Sequence, residues 1–192
     1  MKEIILASAS PRRAELLKQL RLNFRVTPSD ADETLAPGLG PEEQVQNLAV
    51  RKAMEVAEGI QSNTVVIGAD TVVVKDGRIL GKPRDPGEAE EMLQTLRDTW
   101  HQVLTGVAVI DCSSGRILQD FECTRVKMKP LSRETIKAYI QTGEPMDKAG
   151  SYGIQGMGAI LVERIEGCYF NVVGLPLARL ASMLEEYGVR VL

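Results

Sequence analysis

The stretch that most constrains this chain is residues 64–74, TVVIGADTVVV, which is nearly all apolar and β-branched. A strand with one wet face alternates apolar and polar residues, and this one does not. It reads as a strand covered on both faces, the pattern of an α/β protein with helices packed on its sheet. One residue breaks the pattern: Asp70, a carboxylate set among Val, Ile, Gly and Ala.

Other segments supply the rest of such a fold. Residues 3–8 read as a short buried strand, and Pro11 to Leu20 as a helix with Ala14, Leu16, Leu17 and Leu20 in its apolar stripe. A Pro/Gly loop ends at Pro41, and from there to about Glu58 Val45, Leu48, Ala49, Ala53 and Val56 recur at helical spacing. Asp76-Gly77 is a tight-turn dipeptide that returns the chain through Ile79-Leu80. Helices are expected over 86–97, 132–142 and from Pro176 to Gly188, and strands over 102–111 and 116–128. A last hairpin is expected, 159–165 against 169–173, turned at Glu166-Gly167, after a glycine-punctuated loop over 143–158. Hairpins require antiparallel pairs, so the sheet is expected to be mixed.

The chain has 192 residues, a length that favours one domain or two small lobes sharing a core. Its formal net charge of -3 excludes a generic polyanion binder such as a nucleic-acid-coating protein. The single histidine, His101, removes His-rich metal sites, and Trp100-His101 reads as packing. Cys112, Cys123 and Cys168 are odd in number and widely spaced, as for free thiols in a reducing compartment. No stretch approaches the roughly 20 apolar residues of a membrane span, so a soluble cytoplasmic protein is expected.

Two polar constellations stand out. Ser8-Ala9-Ser10-Pro11-Arg12-Arg13 follows a strand and opens a helix, with Ser10 suited to the N-cap and Pro11 to the first helical position. Arg12 and Arg13 then sit at the helix end that disfavours cations by roughly 0.3–1 kcal/mol each. An anion held by backbone N–H groups, serine hydroxyls and guanidinium forks makes sense of them; solvated surface arginines are the alternative. Asp70 needs a cation, a metal or hydrogen-bond donors to stay ionised. In a hairpin turned at Asp76-Gly77, Thr71 faces Lys82 and Asp70 faces Pro83, which brings Lys82 within reach of Asp70 if a bulge or strand end near Gly81 re-aims it. A buried Asp–Lys pair that only satisfies itself is the other reading. Asp32 and Glu33 lie in an acidic loop of the kind usually just solvated, and Lys52 reads by default as a surface lysine. Asp147, Lys148 and Gln155 lie in a loop with four glycines between 150 and 158 that matches neither a P-loop nor a GxGxxG fingerprint.

SASPRRAELL, GADT, GKPRD at 81–85, DKAGSYGIQG and NVVGLP, in this order over almost the whole chain, closely resemble the Maf family of nucleoside triphosphate pyrophosphatases. The resemblance implies an elongated mixed sheet flanked by helices in two lobes, akin to the inosine-triphosphate pyrophosphatase fold, with nucleotide in a central cleft. It also implies hydrolysis of a nucleoside triphosphate to monophosphate and pyrophosphate with a divalent cation, and a homodimer. Arg12, Thr71 and Gln155 match the branch acting on dTTP and UTP; the branch associated with 7-methyl-GTP tends to carry tryptophan, glutamine and glutamate there. By the same resemblance Asp70 is the proton acceptor.

The residue types suit that chemistry. Attack of water on the α-phosphorus needs a base, a neutralising cation and phosphate clamps. Asp70 can orient or deprotonate water or ligate metal, and Glu33 offers a second oxygen ligand for a hard ion such as Mg²⁺ or Mn²⁺. Arg12, Arg13, Lys52 and Lys82 supply charge for the triphosphate, with Ser8 adding a donor. Gln155 can pair with the N3–H and O4 edge of uracil or thymine, and cytosine reverses that pattern at a cost of about 1–3 kcal/mol. Two other readings are a pyrophosphatase for modified or purine nucleotides, and a nucleotide-sensing regulator of division or septation.

Overall fold

The computed structural model describes residues 2–192. Its elements in chain order are β1 (Glu3–Ala7), α1 (Pro11–Gln19), β2 (Arg25–Val26), α2 (Pro41–Ala57), β3 (Thr64–Lys75), β4 (Arg78–Leu80), α3 (Pro86–Leu96), β5 (Trp100–Asp111), β6 (Ile117–Met128), α4 (Arg133–Gln141), β7 (Val162–Glu166), α5 (Tyr169–Val173) and α6 (Leu177–Glu185). Seven strands form one sheet in the order β2-β1-β3-β5-β6-β7, with β4 paired to β3. β1 is parallel to both β2 and β3, while β4 on β3 and β7 on β6 are antiparallel, so the sheet is mixed as expected.

The chain divides into two compact units. One comprises Met1–Asp70, Thr105–Glu122 and Gly174–Leu192, and the other Thr71–Leu104 and Cys123–Val173. In the first, α2 lies on the sheet with Ala49 and Ala53 against Ile5, Ala7, Val66, Ala108 and Ile110. The approach is close because two positions under the helix have no side chain. A Cβ at Gly68 would stand 2.2 Å from the Ala49 carbonyl oxygen, and one at Gly106 would stand 2.1 Å from that of Val45. In the second unit the core is built from Leu93 and Leu96 of α3, Ile136 and Tyr139 of α4, and Val73, Val103, Val126 and Met128 of the strands.

Local signals explain most boundaries. Asp85 caps α3 by accepting the Glu88 N–H at 2.9 Å, Ser132 caps α4 through the Thr135 N–H at 3.1 Å, and Pro86 opens α3. Asp76 and Gly77 both have positive φ, 50° and 75°, and pair Lys75 with Arg78 in the register the turn dictates. That register stops early, because β4 ends at Leu80 and Lys82 lies beyond it.

The expected hairpin of 159–165 against 169–173 does not form. Residues Gly156–Leu161 are a 3-10 helix, β7 pairs with β6 instead, and Tyr169–Val173 is helical. The cause is Thr124, whose hydroxyl accepts the Cys168 N–H and donates to the Cys168 carbonyl, both at 3.0 Å. Both backbone groups of Cys168 are thereby engaged, and Asn171 is buried with its amide donating to Val103 and Thr124. Cys112, Cys123 and Cys168 form no disulfide. No described helix is long and apolar enough to cross a membrane.

Candidate active site

Strand alternation places Val66, Gly68 and Asp70 on one face of β3, the face that α2 covers. Since Gly68 lets the helix sit on the strand, the next turn of α2 brings Lys52 over Asp70. Lys52 Nζ lies 2.6 Å from Asp70 Oδ1 and 2.7 Å from Glu33 Oε1. Lys52 is 8% exposed and Asp70 9%, so the pair is buried, while Glu33 is exposed at its outer edge. The default reading of Lys52 as a surface lysine is therefore corrected. The signal was present in the sequence: Lys52 falls four residues after Leu48 and three after Ala49, inside the buried stripe. The structure gives Asp70 a partner in Lys52, reached from a helix.

Glu33 arrives on the loop between β2 and α2, which side chains of α2 staple down. Arg51 donates to the Thr34 carbonyl at 2.9 Å and also to the Asp32 carbonyl. Gln44 exchanges two hydrogen bonds with the Ala36 backbone, and Glu55 accepts the Asp30 N–H at 3.3 Å. The Thr34 hydroxyl and N–H hold the exposed Asp32 carboxyl below its usual range, and Asp32 also pairs with Arg51 at 3.4 Å. The acidic loop is thus tied along α2 rather than merely solvated, and its staples were not foreseen from sequence.

The basic constellation meets the same strand. Ser8 is buried at the end of β1, and its Oγ accepts the Ser10 N–H at 3.2 Å. Arg13, in the first turn of α1, donates to Ser8 Oγ at 3.3 Å, to the Ala69 carbonyl at 2.8 Å and to the Gly174 carbonyl at 2.8 Å. Burial lowers the pKa of the Arg13 guanidinium and the nearby Asp70 charge opposes that, leaving it charged at neutral pH. Ser10 does occupy the N-cap, but its hydroxyl makes no cap hydrogen bond, and α1 has no acid in its first turn. Arg12 shares that turn and is half-buried.

The remaining candidates belong to the second unit. Thr71 follows Asp70 directly in the chain. Lys82 is exposed after β4, where the Gly81 carbonyl accepts the Gly150 N–H at 3.0 Å. Gln155 is half-buried, just before the 3-10 helix Gly156–Leu161. Asp147 pairs with Lys148 at 2.7 Å. His101 packs edge-on against Tyr152 with Nε2 2.7 Å from its hydroxyl.

Among the described residues no group of three or more His, Cys, Asp or Glu converges as a metal cage. Asp70 and Glu33 nonetheless meet at one ammonium, so two hard oxygen donors share a small region. Carboxylate oxygens are the ligand type that hard ions such as Mg²⁺ take.

The seven-stranded mixed sheet with helices packed on it defines the class as an α/β fold. The Ham1 protein of Staphylococcus aureus has a similar solved structure, with a TM-score of 0.50 and 17% identity over 84% of this chain and 80% of that one. The family model described as Maf-like protein matches residues 3–187, and the chain belongs to that family. It is 55% identical to a dTTP/UTP pyrophosphatase of Acetivibrio thermocellus, over 100% of this chain and 98% of the relative. Identity to the dTTP/UTP pyrophosphatase of Pelotomaculum thermopropionicum is also 55%, over the full length of both.

Proposed function

We propose that this protein hydrolyses dTTP and UTP to the nucleoside monophosphate and pyrophosphate. Family membership and full-length relatives that carry that name support the reaction class. The observation that carries the local chemistry is the convergence of Asp70 and Glu33 on Lys52, at 2.6 and 2.7 Å, with Arg13 bonded to the backbone of Ala69 next door.

Water attacks the α-phosphorus, the bond to the bridging oxygen of the β-phosphate breaks, and pyrophosphate leaves. Asp70 accepts the proton of the attacking water, a role suited to a carboxylate held rigidly on a central strand. Lys52 fixes the Asp70 carboxylate and places positive charge beside it. Arg12 and Arg13 bind the triphosphate, with Ser8 orienting Arg13, and Lys82 adds charge from the segment after β4. Thr71 contributes to substrate binding. A divalent cation would be held by Asp70 and Glu33, and supplies neutralisation of charge developing on the phosphate oxygens. Gln155 reads the base by offering one donor and one acceptor to uracil or thymine.

The test is a product-resolved panel. The purified protein is incubated with canonical triphosphates and Mg²⁺ or Mn²⁺. Preferential conversion of dTTP and UTP, with pyrophosphate as product, is expected. Release of orthophosphate overturns attack at the α-phosphorus, and a purine preference overturns the base reading.

A further inference from the structure

The loop carrying Gln155 is closed by two side chains that the reaction does not use directly. Tyr139, 4% exposed on α4, donates its hydroxyl to Glu144 Oε1 at 2.9 Å and accepts the Gly153 N–H at 3.1 Å. Glu144 Oε1 also accepts the Gly158 N–H, and its Oε2 accepts the Met157 N–H, each at 2.9 Å. The pair therefore grips the backbone two residues before Gln155 and again two and three residues after it.

The grip is tight on both flanks. A Cβ at Gly158 would stand 2.2 Å from the Gly153 carbonyl and 2.6 Å from Tyr139 Oη, and one at Gly156, where φ is +68°, would stand 2.8 Å from Glu144 Oε2. Glu144 is itself anchored: its N–H donates to Thr142 Oγ1 at 3.1 Å, and its carbonyl accepts Lys148 Nζ at 2.5 Å. Burial pushes the Glu144 carboxyl up, but the two backbone N–H donors and the tyrosine outweigh it, so the carboxyl stays below its usual range and ionised. An ionised acceptor with three donors holds a loop more firmly than neutral contacts do.

A side-chain amide distinguishes uracil from cytosine only if its oxygen and nitrogen cannot exchange places or slide along the base edge. We infer that Tyr139 and Glu144 are positioning residues that fix the backbone around Gln155 and thereby set selectivity for uracil and thymine over cytosine. The inference rests on the proposed base-reading role of Gln155.

The experiment measures kcat/KM for dTTP and dCTP in the wild type, Tyr139→Phe, Glu144→Gln, Gln155→Ala and the doubles with Gln155→Ala. Tyr139→Phe keeps the ring and removes only the hydroxyl, so it serves as the variant that folds if Glu144→Gln does not. The dTTP-to-dCTP ratio is expected to fall about tenfold in each clamp variant, as for loss of one buried hydrogen-bond geometry. A fold that is merely loosened lowers both substrates together and leaves the ratio unchanged. In the Gln155→Ala background, Tyr139→Phe is expected to leave the ratio where Gln155→Ala put it, because both act through one amide. A ratio changed by Gln155→Ala but not by the clamp variants overturns the inference and leaves the base reading intact, and so do strictly additive effects. If Gln155→Ala itself leaves the ratio at the wild-type value, the base reading fails and the inference with it.

Discussion

Asp70 illustrates how a single residue on a strand can be chemically costly and still be retained. Nothing in the apolar run 64–74 tolerates a carboxylate without compensation, and the structure supplies it from Lys52 at 2.6 Å. Asp70→Asn keeps the shape and can still accept a hydrogen bond from Lys52, but it cannot take a proton from water. Turnover is expected to fall by at least about a hundredfold, the usual contribution of a general base, while the melting temperature moves little. Steady-state rates and thermal unfolding of the variant check this, and retained turnover removes Asp70 from the base role. His101 carries a second residue-scale prediction, about stability. Burial, aided by the Lys75 charge, lowers its pKa from the ordinary 6.5 to about 4, so the folded chain favours the neutral ring. The unfolded chain takes up a proton near the ordinary value. The contribution is thus full above that pH, shrinks as pH falls from 6.5 toward 4, and amounts to about 3 kcal/mol. Urea unfolding at about pH 7 and about pH 4 is expected to show a smaller acid loss in His101→Gln than in the wild type. An equal loss in both refutes the assignment. That Asp70 needed a partner was legible from sequence. Its identity was not, because a hairpin partner is fixed by local turn geometry whereas Lys52 depends on how a distant helix lies.

That helix, α2, is placed by absences. Gly68 and Gly106 let it lie on β3 and β5, and the Lys52–Asp70 pair follows from the contact at Gly68. Gly68→Ala drives a methyl group to 2.2 Å from the Ala49 carbonyl and 2.9 Å from the Ala53 Cβ, obstacles that no rotamer change relieves. Overpacking of this kind costs about 3 kcal/mol, or roughly 6–12 °C in Tm. Gly106→Ala meets the backbone of Val45, about one turn before Ala49, and is expected to cost a similar amount. The two differ in function: displacement at Gly68 separates Lys52 from Asp70 directly, so kcat per folded molecule falls further there. Thermal unfolding together with active-site-normalised rates checks this, and equal kcat loss in the two variants counts against it. Elements whose signals are local were legible in this chain, as at the Asp76-Gly77 turn and the stripe of α2. The segment 169–173, YFNVV, has the composition of a strand, yet it is helical because Thr124 and Val103 claim Cys168 and Asn171 through contacts distant in sequence. Arg25–Val26 is too short to carry a periodic signal.

At the scale of the molecule, two compact units raise the question of whether they fold separately. Independent domains are joined through exposed linkers rich in Pro, Gly or polar residues, where few contacts cross. Here the chain passes between units at 70/71, 104/105, 122/123 and 173/174. The first three fall inside β3, β5 and β6, each a continuous strand of 12 residues. Unfolding one unit alone would require each of these strands to be ordered at one end and disordered at the other, which leaves hydrogen-bonding groups unsatisfied in mid-strand. A single cooperative transition is therefore expected. The sequence provides the probe, since its one tryptophan, Trp100, lies in the second unit with Arg125 stacked 4.5 Å from its ring centroid. Trp100 fluorescence reports loss of the second unit, and far-UV circular dichroism reports both. Coincident denaturant midpoints and slopes by the two probes establish one folding unit. A fluorescence transition displaced from the dichroism curve shows that the units unfold in turn, and then the strand-interior crossings do not couple them.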